Sequence, residues 1–152
     1  MASRSIGRLF KLILFASSDR LEIMKKEFQK WHNKKSDIDD IEKRPFFHEQ
    51  EIWFCHLGAN VGFEQDGSGE DFQRPVVIIR KFNSEVAWTI PLSKTDKRNR
   101  YYFPFKFDDK ITSVAIISQI RLLDTKRLSR RIGNMNKDDF TKLINKIKAL
   151  LP

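Results

Sequence analysis

The sequence predicts a small, mainly β domain, curved strongly into a barrel or folded as paired sheets, with a C-terminal helix and a helical extension at the N-terminus. Three observations lead there. Five short apolar or β-branched runs follow one another from residue 50, separated by turn residues. Near residue 136 the apolar spacing changes to that of a helix. Residues 1–45 differ again: they carry no Gly after Gly7, are rich in Lys, Glu and Asp, and show helical spacing. The expected boundaries are therefore an extension over 1–45 and a barrel domain over 46–152. A chain of 152 residues that is 40% apolar, with 13 Phe and 3 Trp, has enough apolar side chain for one core.

The opening "MASRSIGRLFKLILFASS" has a short apolar patch interrupted by Lys11, well below the ~20 apolar residues of a membrane span. It is read as no cleaved signal peptide, and the chain as soluble and cytoplasmic. The single cysteine, Cys55, fits a reducing compartment. Arg4, Arg8 and Lys11 form a basic face for which an anionic membrane surface is the alternative partner. Leu21, Met24, Phe28 and Trp31 then fall on one helical stripe, with Asp19 and Glu22 suited to its first turn. "NKKSDIDDIEKRP" reads as the helix end and a link closing at Pro45.

The strands follow. "EIWFCHL" is bounded by the turn region of Gly58 and Gly62, and "RPVVIIRKF" opens with a proline, which a first strand position tolerates. "EVAWTIPL" and "YYFPFKF" come next, with Pro91 and Pro104 marking a strand end, a bulge or an edge. "SVAIISQIRLL" reads as the longest strand. Asn136 is the expected N-cap of the last helix, whose apolar face is Phe140, Leu143, Ile144, Ile147 and Leu151.

The net charge of +9 favours polyanions: nucleic acid, an anionic membrane or an acidic protein. His32, His48 and His56 are scattered, and no His or Cys spacing suggests zinc. His56 alternates with Ile52 and Phe54 and reads as a partly buried strand residue. "DGSGED" lacks the ligand spacing of a calcium loop and the Lys-Ser/Thr of a phosphate loop, which leaves a flexible hairpin-like connection. "PLSKTDKRNRYY" sets Lys94, Lys97, Arg98 and Arg100 beside two tyrosines, and Arg121, Lys126, Arg127, Arg130 and Arg131 follow. Cations interleaved with aromatics suit single-stranded nucleic acid; a solvated basic face and a dock for an acidic tail remain open.

Residues 51–152 resemble the MazF/PemK-type toxins of bacterial toxin–antitoxin pairs. The matching pieces, "EIWFCHLGANVGFEQ", "RPVVII", "IPLS" and "SVAIISQIRLLDTKRLSRRIG", stand in the family's order and precede a C-terminal helix. The resemblance implies a compact SH3-like barrel (MazF/PemK/CcdB-like), a symmetric homodimer, and cutting of single-stranded RNA without metal or other cofactor. It also implies a cognate antitoxin, acidic and disordered until bound, that could occupy the basic groove. The RNA class, whether mRNA, tRNA or rRNA, stays open. The same fold occurs in toxins that bind DNA gyrase, so a non-catalytic toxin is the alternative; an arginine at 74 and a hydroxyl at 93 favour the nuclease.

By position, the arginine of the family's Arg-Pro pair falls at Arg74 and its signature hydroxyl at Ser93, the two expected catalytic residues. Glu64, Gln65 and Gln119 fall at substrate-facing positions, with Phe63, Lys94, Lys97, Arg98 and Arg121 as further substrate contacts. Cleavage by the RNA's own 2′-hydroxyl builds charge on a pentacoordinate phosphate, which a two-pronged guanidinium and a hydroxyl donor can stabilise. Arginine is an awkward base, so Glu64 and His56 are the candidate proton acceptors. The sequence departs from the pattern at Gln50, where the family often has Gly, and at Phe63, where it often has Ser. Phe63 is expected either to stack a base or to anchor the loop. The acidic loop is expected to pair Glu64 with Arg74 when RNA is absent.

Overall fold

The computed structural model describes residues 25–108 and 111–152. Helix α1 (Phe28–Asp39) leads into strands β1 (Glu51–His56), β2 (Gln73–Lys81), β3 (Val86–Ser93), β4 (Tyr102–Asp108) and β5 (Ile111–Ile116). A 3₁₀ turn (Ile117–Gln119), β6 (Arg121–Asp124), a second 3₁₀ turn (Thr125–Arg127), β7 (Leu128–Asn134) and helix α2 (Lys137–Leu150) complete the chain. The strands form one curled antiparallel sheet, a half-barrel in the order β4-β5-β3-β2-β1-β7, with β6 beside β3. The mainly β architecture with a C-terminal helix is thus as the sequence predicts. Among the described residues no helix is long and apolar enough to cross a membrane.

The longest-strand expectation is corrected. "SVAIISQIRLL" breaks at Ile117–Gln119 because β3 changes partner there: Val86–Thr89 pair with β6, whereas Leu92 and Ser93 pair with β5. Pro91 lies at this changeover, and Pro104 lies on β4, an edge strand. A further strand, β7, forms from "LSRRIGN", which reads as a basic cluster in the sequence. The four-residue run Val76–Ile79 is buried throughout because successive side chains serve opposite faces. Val77 and Ile79 join Ile52, Ile90 and Leu92 under helix α2, while Val76 and Ile78 join Phe47, Trp53 and Leu57 behind the sheet. Asn136 caps α2 by accepting the Asp139 N–H at 2.8 Å, as expected, and Leu143 is fully buried.

Helix α1 runs through "NKKSDID", so most of the charged cluster is helix and the link is only Asp40–Pro45. Of the predicted stripe, Trp31 is buried against Phe72 and Ala59 with Ile38, whereas Phe28 is half exposed. Leu21, Met24 and the expected Asp19 and Glu22 turn, like the basic face of Arg4, Arg8 and Lys11, lie outside the described residues.

Gln50 has φ 78°, a conformation that favours glycine and explains the family's usual residue there. Its own amide compensates by donating to the Met135 carbonyl at 2.6 Å. The neighbouring Glu51 is buried. Burial alone would raise its carboxyl, but the His48 N–H and ring, the Trp53 indole and the Arg131 charge together hold it below the usual carboxylate range. A depressed folded pKa contributes stability above the ordinary carboxyl range and loses it as pH falls. Glu51→Gln is therefore expected to destabilise the fold by about 1–3 kcal/mol near neutrality. Urea titrations at descending pH should show that difference shrinking as the wild-type carboxylate protonates.

Candidate active site

One polar cleft of about 500 Å³ is built where four parts of the sheet meet. The β1–β2 loop supplies Phe63, Glu64, Gln65 and Asp66; the start of β2 supplies Arg74; the end of β3 supplies Ser93; and the 3₁₀ break supplies Ser118 and Gln119. Thr95, Lys97 and Tyr102 close the remaining side. The same changeover that splits the long apolar run therefore turns Gln119 toward the loop.

The loop is tied down at many points, not the flexible connection expected. Asn60 donates its side-chain amide to the Leu57 and Gln65 carbonyls at 3.2 and 2.9 Å and its N–H to Asp66 Oδ1 at 2.6 Å. Gly67 N–H donates to the Gly58 carbonyl at 2.9 Å. Gln119 accepts the Gln65 N–H at 3.1 Å and donates to the Phe63 carbonyl at 3.0 Å, so it holds the loop from across the cleft. The Glu64–Arg74 pairing is not formed: Glu64 Oε2 turns back to accept the Val61 N–H at 2.8 Å. Its short reach is used to close its own turn, in the manner of a capping carboxylate. Phe63 is fully exposed at the rim, which removes the loop-anchor alternative.

Arg74 is the hub. Its Nε donates to the Asp66 carbonyl at 2.6 Å and its Nη1 to the Leu92 carbonyl at 3.1 Å, one residue before Ser93. With the Gln65 amide oxygen turned toward these donors, it accepts from Arg74 Nη2 at 2.9 Å and Nε at 3.3 Å. A guanidinium has about five N–H groups, so one hydrogen on each terminal nitrogen is left over. Burial lowers the Arg74 pKa from its ordinary value while the Asp66 charge opposes the shift; a group that starts so far above neutrality stays a cation. Ser93 Oγ accepts the Thr95 N–H at 3.1 Å, which leaves its own hydrogen free to donate.

Of the other expected residues, Lys97 stands over the Tyr102 ring at 5.8 Å. Arg121 lines an adjoining cleft with Asn60, Glu64 and Gln119. Lys94 and Arg98 are exposed and do not line the cleft; Arg98 pairs with Asp96 at 3.2 Å. His56 is also outside it, its Nδ1 2.7 Å from the Asp71 carbonyl, which leaves Glu64 as the cleft-lining member of the two candidate proton acceptors. The sequence does not single out Asp66, Thr95, Tyr102 or Ser118 as site residues. The paired tyrosines beside the basic run were the visible sign of Tyr102; Asp66 carried none beyond its place after Glu64 and Gln65.

The curled half-barrel is the fold of solved MazF toxins. The Mycobacterium tuberculosis toxin MazF-mt6 superposes with a TM-score of 0.51 at 17% identity, over 65% of this chain and 93% of that one. A MazF from Deinococcus radiodurans gives 0.56 at 14% identity, over 72% and 97%. An endoribonuclease in complex with its cognate antitoxin, from a Mycobacterial species, gives 0.54 at 14%, over 70% and 98%. These are likenesses of fold. A search of curated proteins finds none that matches the sequence. The family model of the PemK-like, MazF-like toxins of type II toxin–antitoxin systems matches residues 48–151, well over half of the chain, and the protein belongs to that family.

Proposed function

We propose that this protein is a metal-independent, sequence-selective endoribonuclease toxin that cuts single-stranded RNA in the cytoplasm, as a symmetric homodimer neutralised by a cognate antitoxin. The observation that carries the reading is the Arg74 guanidinium, anchored through three of its N–H groups and retaining one on each terminal nitrogen, in the same cleft as the free Ser93 hydroxyl hydrogen. Two parallel N–H groups match two non-bridging phosphate oxygens. The 2′-hydroxyl gives its proton to the Glu64 carboxylate and its oxygen attacks phosphorus. The bond to the 5′-oxygen then breaks and that oxygen takes a proton from solvent water, while the protonated Glu64 returns its proton to solvent, leaving a 2′,3′-cyclic phosphate and a 5′-hydroxyl. Arg74 and Ser93 stabilise the added charge as it forms. Phe63 and Tyr102 offer rings to flanking bases. The net charge of +9 suits both RNA and an acidic antitoxin segment.

The test is incubation with a defined single-stranded RNA in EDTA and mapping of the product ends. Wild-type protein is expected to cut under these conditions and leave cyclic phosphates. Ser93→Ala, which removes one donor, is expected to lose ~10²-fold in rate. Cutting that needs magnesium, or that is unchanged in Ser93→Ala and Arg74→Ala together, would refute the mechanism.

A further inference from the structure

The family match begins at residue 48, yet the extension that precedes it is joined to the cleft. Lys26 Nζ lies 2.6 Å from the Asn60 carbonyl, 2.8 Å from the Gly62 carbonyl and 2.9 Å from Asp66 Oδ2. An ammonium has about three donors, and here each has an acceptor on the loop that forms the cleft's wall. Asp66 in turn holds Arg74 Nε through its carbonyl. The extension is seated independently of Lys26: Trp31 is buried over Gly58 and against Phe72, Arg127 lies over the indole at 5.6 Å, and Lys34 pairs with Asp71 at 2.9 Å.

We infer that the N-terminal extension is part of the catalytic unit, with Lys26 a positioning residue that fixes the loop and, through Asp66, the Arg74 guanidinium; this rests on the endoribonuclease reading above. The physical reason is twofold. Without the ammonium, two loop carbonyls lose their cationic partner and the turn that presents Glu64 and Gln65 loses a tie. The Asp66 carboxylate also loses its counter-ion. Arg74, already bound to the carbonyl of the same residue, is then an available cation for it, and a carboxylate there competes with the scissile phosphate for the two remaining N–H groups. Lys26 thus keeps the guanidinium available to substrate while its own charge stays on the loop.

The test compares Lys26→Met with Lys30→Met in the full chain. Both remove one positive charge from the same extension, but among the described residues Lys30 pairs with the exposed Glu70 and Glu27 and not with the cleft loop at Asn60, Gly62 or Asp66, so the pair subtracts any general attraction for RNA. Lys26→Met is expected to lose roughly 10- to 100-fold in kcat, with amide exchange at Asn60, Val61, Gln65 and Gly67 accelerated about tenfold and α2 amides unchanged. Lys30→Met should move both within about twofold, and Lys26→Arg should recover part of each loss. Kinetics and exchange in Lys26→Met that match Lys30→Met would overturn the inference, as would faster exchange with unchanged kcat. If the wild-type protein cuts no RNA, the endoribonuclease reading falls by itself. The exchange comparison then still decides whether Lys26 fixes the loop: lost protection in Lys26→Met sustains that contact and equal protection removes it.

Discussion

Arg74→Lys is expected to lower the single-turnover rate of RNA cleavage by about 10³-fold while leaving the barrel folded. Lysine keeps the charge, so the prediction turns on geometry. The guanidinium reaches three protein acceptors in three directions, the Asp66 carbonyl, the Leu92 carbonyl and the Gln65 amide oxygen, and still has a hydrogen on each terminal nitrogen. An ammonium concentrates all its donors at one point. It can satisfy the loop carbonyls or face a phosphate, and cannot form the two parallel bonds that a phosphate accepts from arginine. Loss of a single preorganised donor to developing charge is worth ~10²–10³ in rate, and here two go together with their anchoring. Arg74→Ala should be no more active, and less stable, because Asp66 and Leu92 lose a partner in a half-buried site. Circular dichroism and urea midpoints check the fold. A lysine variant that cuts at the wild-type rate would mean that only charge matters there.

How far the sequence discloses this arrangement depends on whether a residue's job is local. The Asn136 cap and the α2 stripe are set by spacing within one element. The cap and Phe140, Leu143, Ile144 and Ile147 form as spacing predicts, whereas Leu151 falls past the last helical turn and is exposed, and Leu150 packs on the core instead. β7 does not announce itself, because it is a sheet-end strand whose residues Ser129, Arg130 and Arg131 are exposed, so its alternation is polar. The break at Ile117–Gln119 is likewise invisible in an unbroken apolar run. It is imposed by β3, which requires one partner before Pro91 and another after it. Within the cleft, Arg74, Ser93, Glu64, Gln65 and Gln119 were legible only through the family resemblance, since no spacing rule links residues on four separate elements. Lys26 was legible through neither. It lies outside the resembling region, and two of its three acceptors are backbone carbonyls that any sequence possesses. The Glu64–Arg74 pairing failed for a similar reason: opposite charges close in sequence suggest an ion pair, but the loop's own N–H groups offer Glu64 a nearer partner.

Gly58→Ala is expected to expel Trp31 and release helix α1 from the barrel. Gly58 has φ +87°, where a residue with a Cβ costs about 1–2 kcal/mol. A Cβ there would also stand 2.1 Å from Trp31 Cε2 and 2.3 Å from Cζ2. The indole has no free direction in which to yield, since it is buried against Phe72 at a ring-centroid distance of 5.5 Å with Arg127 over it. Losing a buried tryptophan costs about 3–5 kcal/mol, so the two effects together cost about 4–7 kcal/mol. The double variant Gly58→Ala/Trp31→Ala separates them. With no indole to strike, the alanine adds only its backbone strain, and the pair should fall short of additivity by about 3–5 kcal/mol, the tryptophan loss that the two single variants share, in urea unfolding. Tryptophan fluorescence of the single Gly58→Ala variant should shift to the red, with Trp53 as buried background. Full additivity would show that the helix does not rest its indole on the glycine. A shortfall with red-shifted emission would place the extension's seat on the same loop that carries Glu64 and Gln65, because Gly58 also accepts the Gly67 N–H that closes that loop.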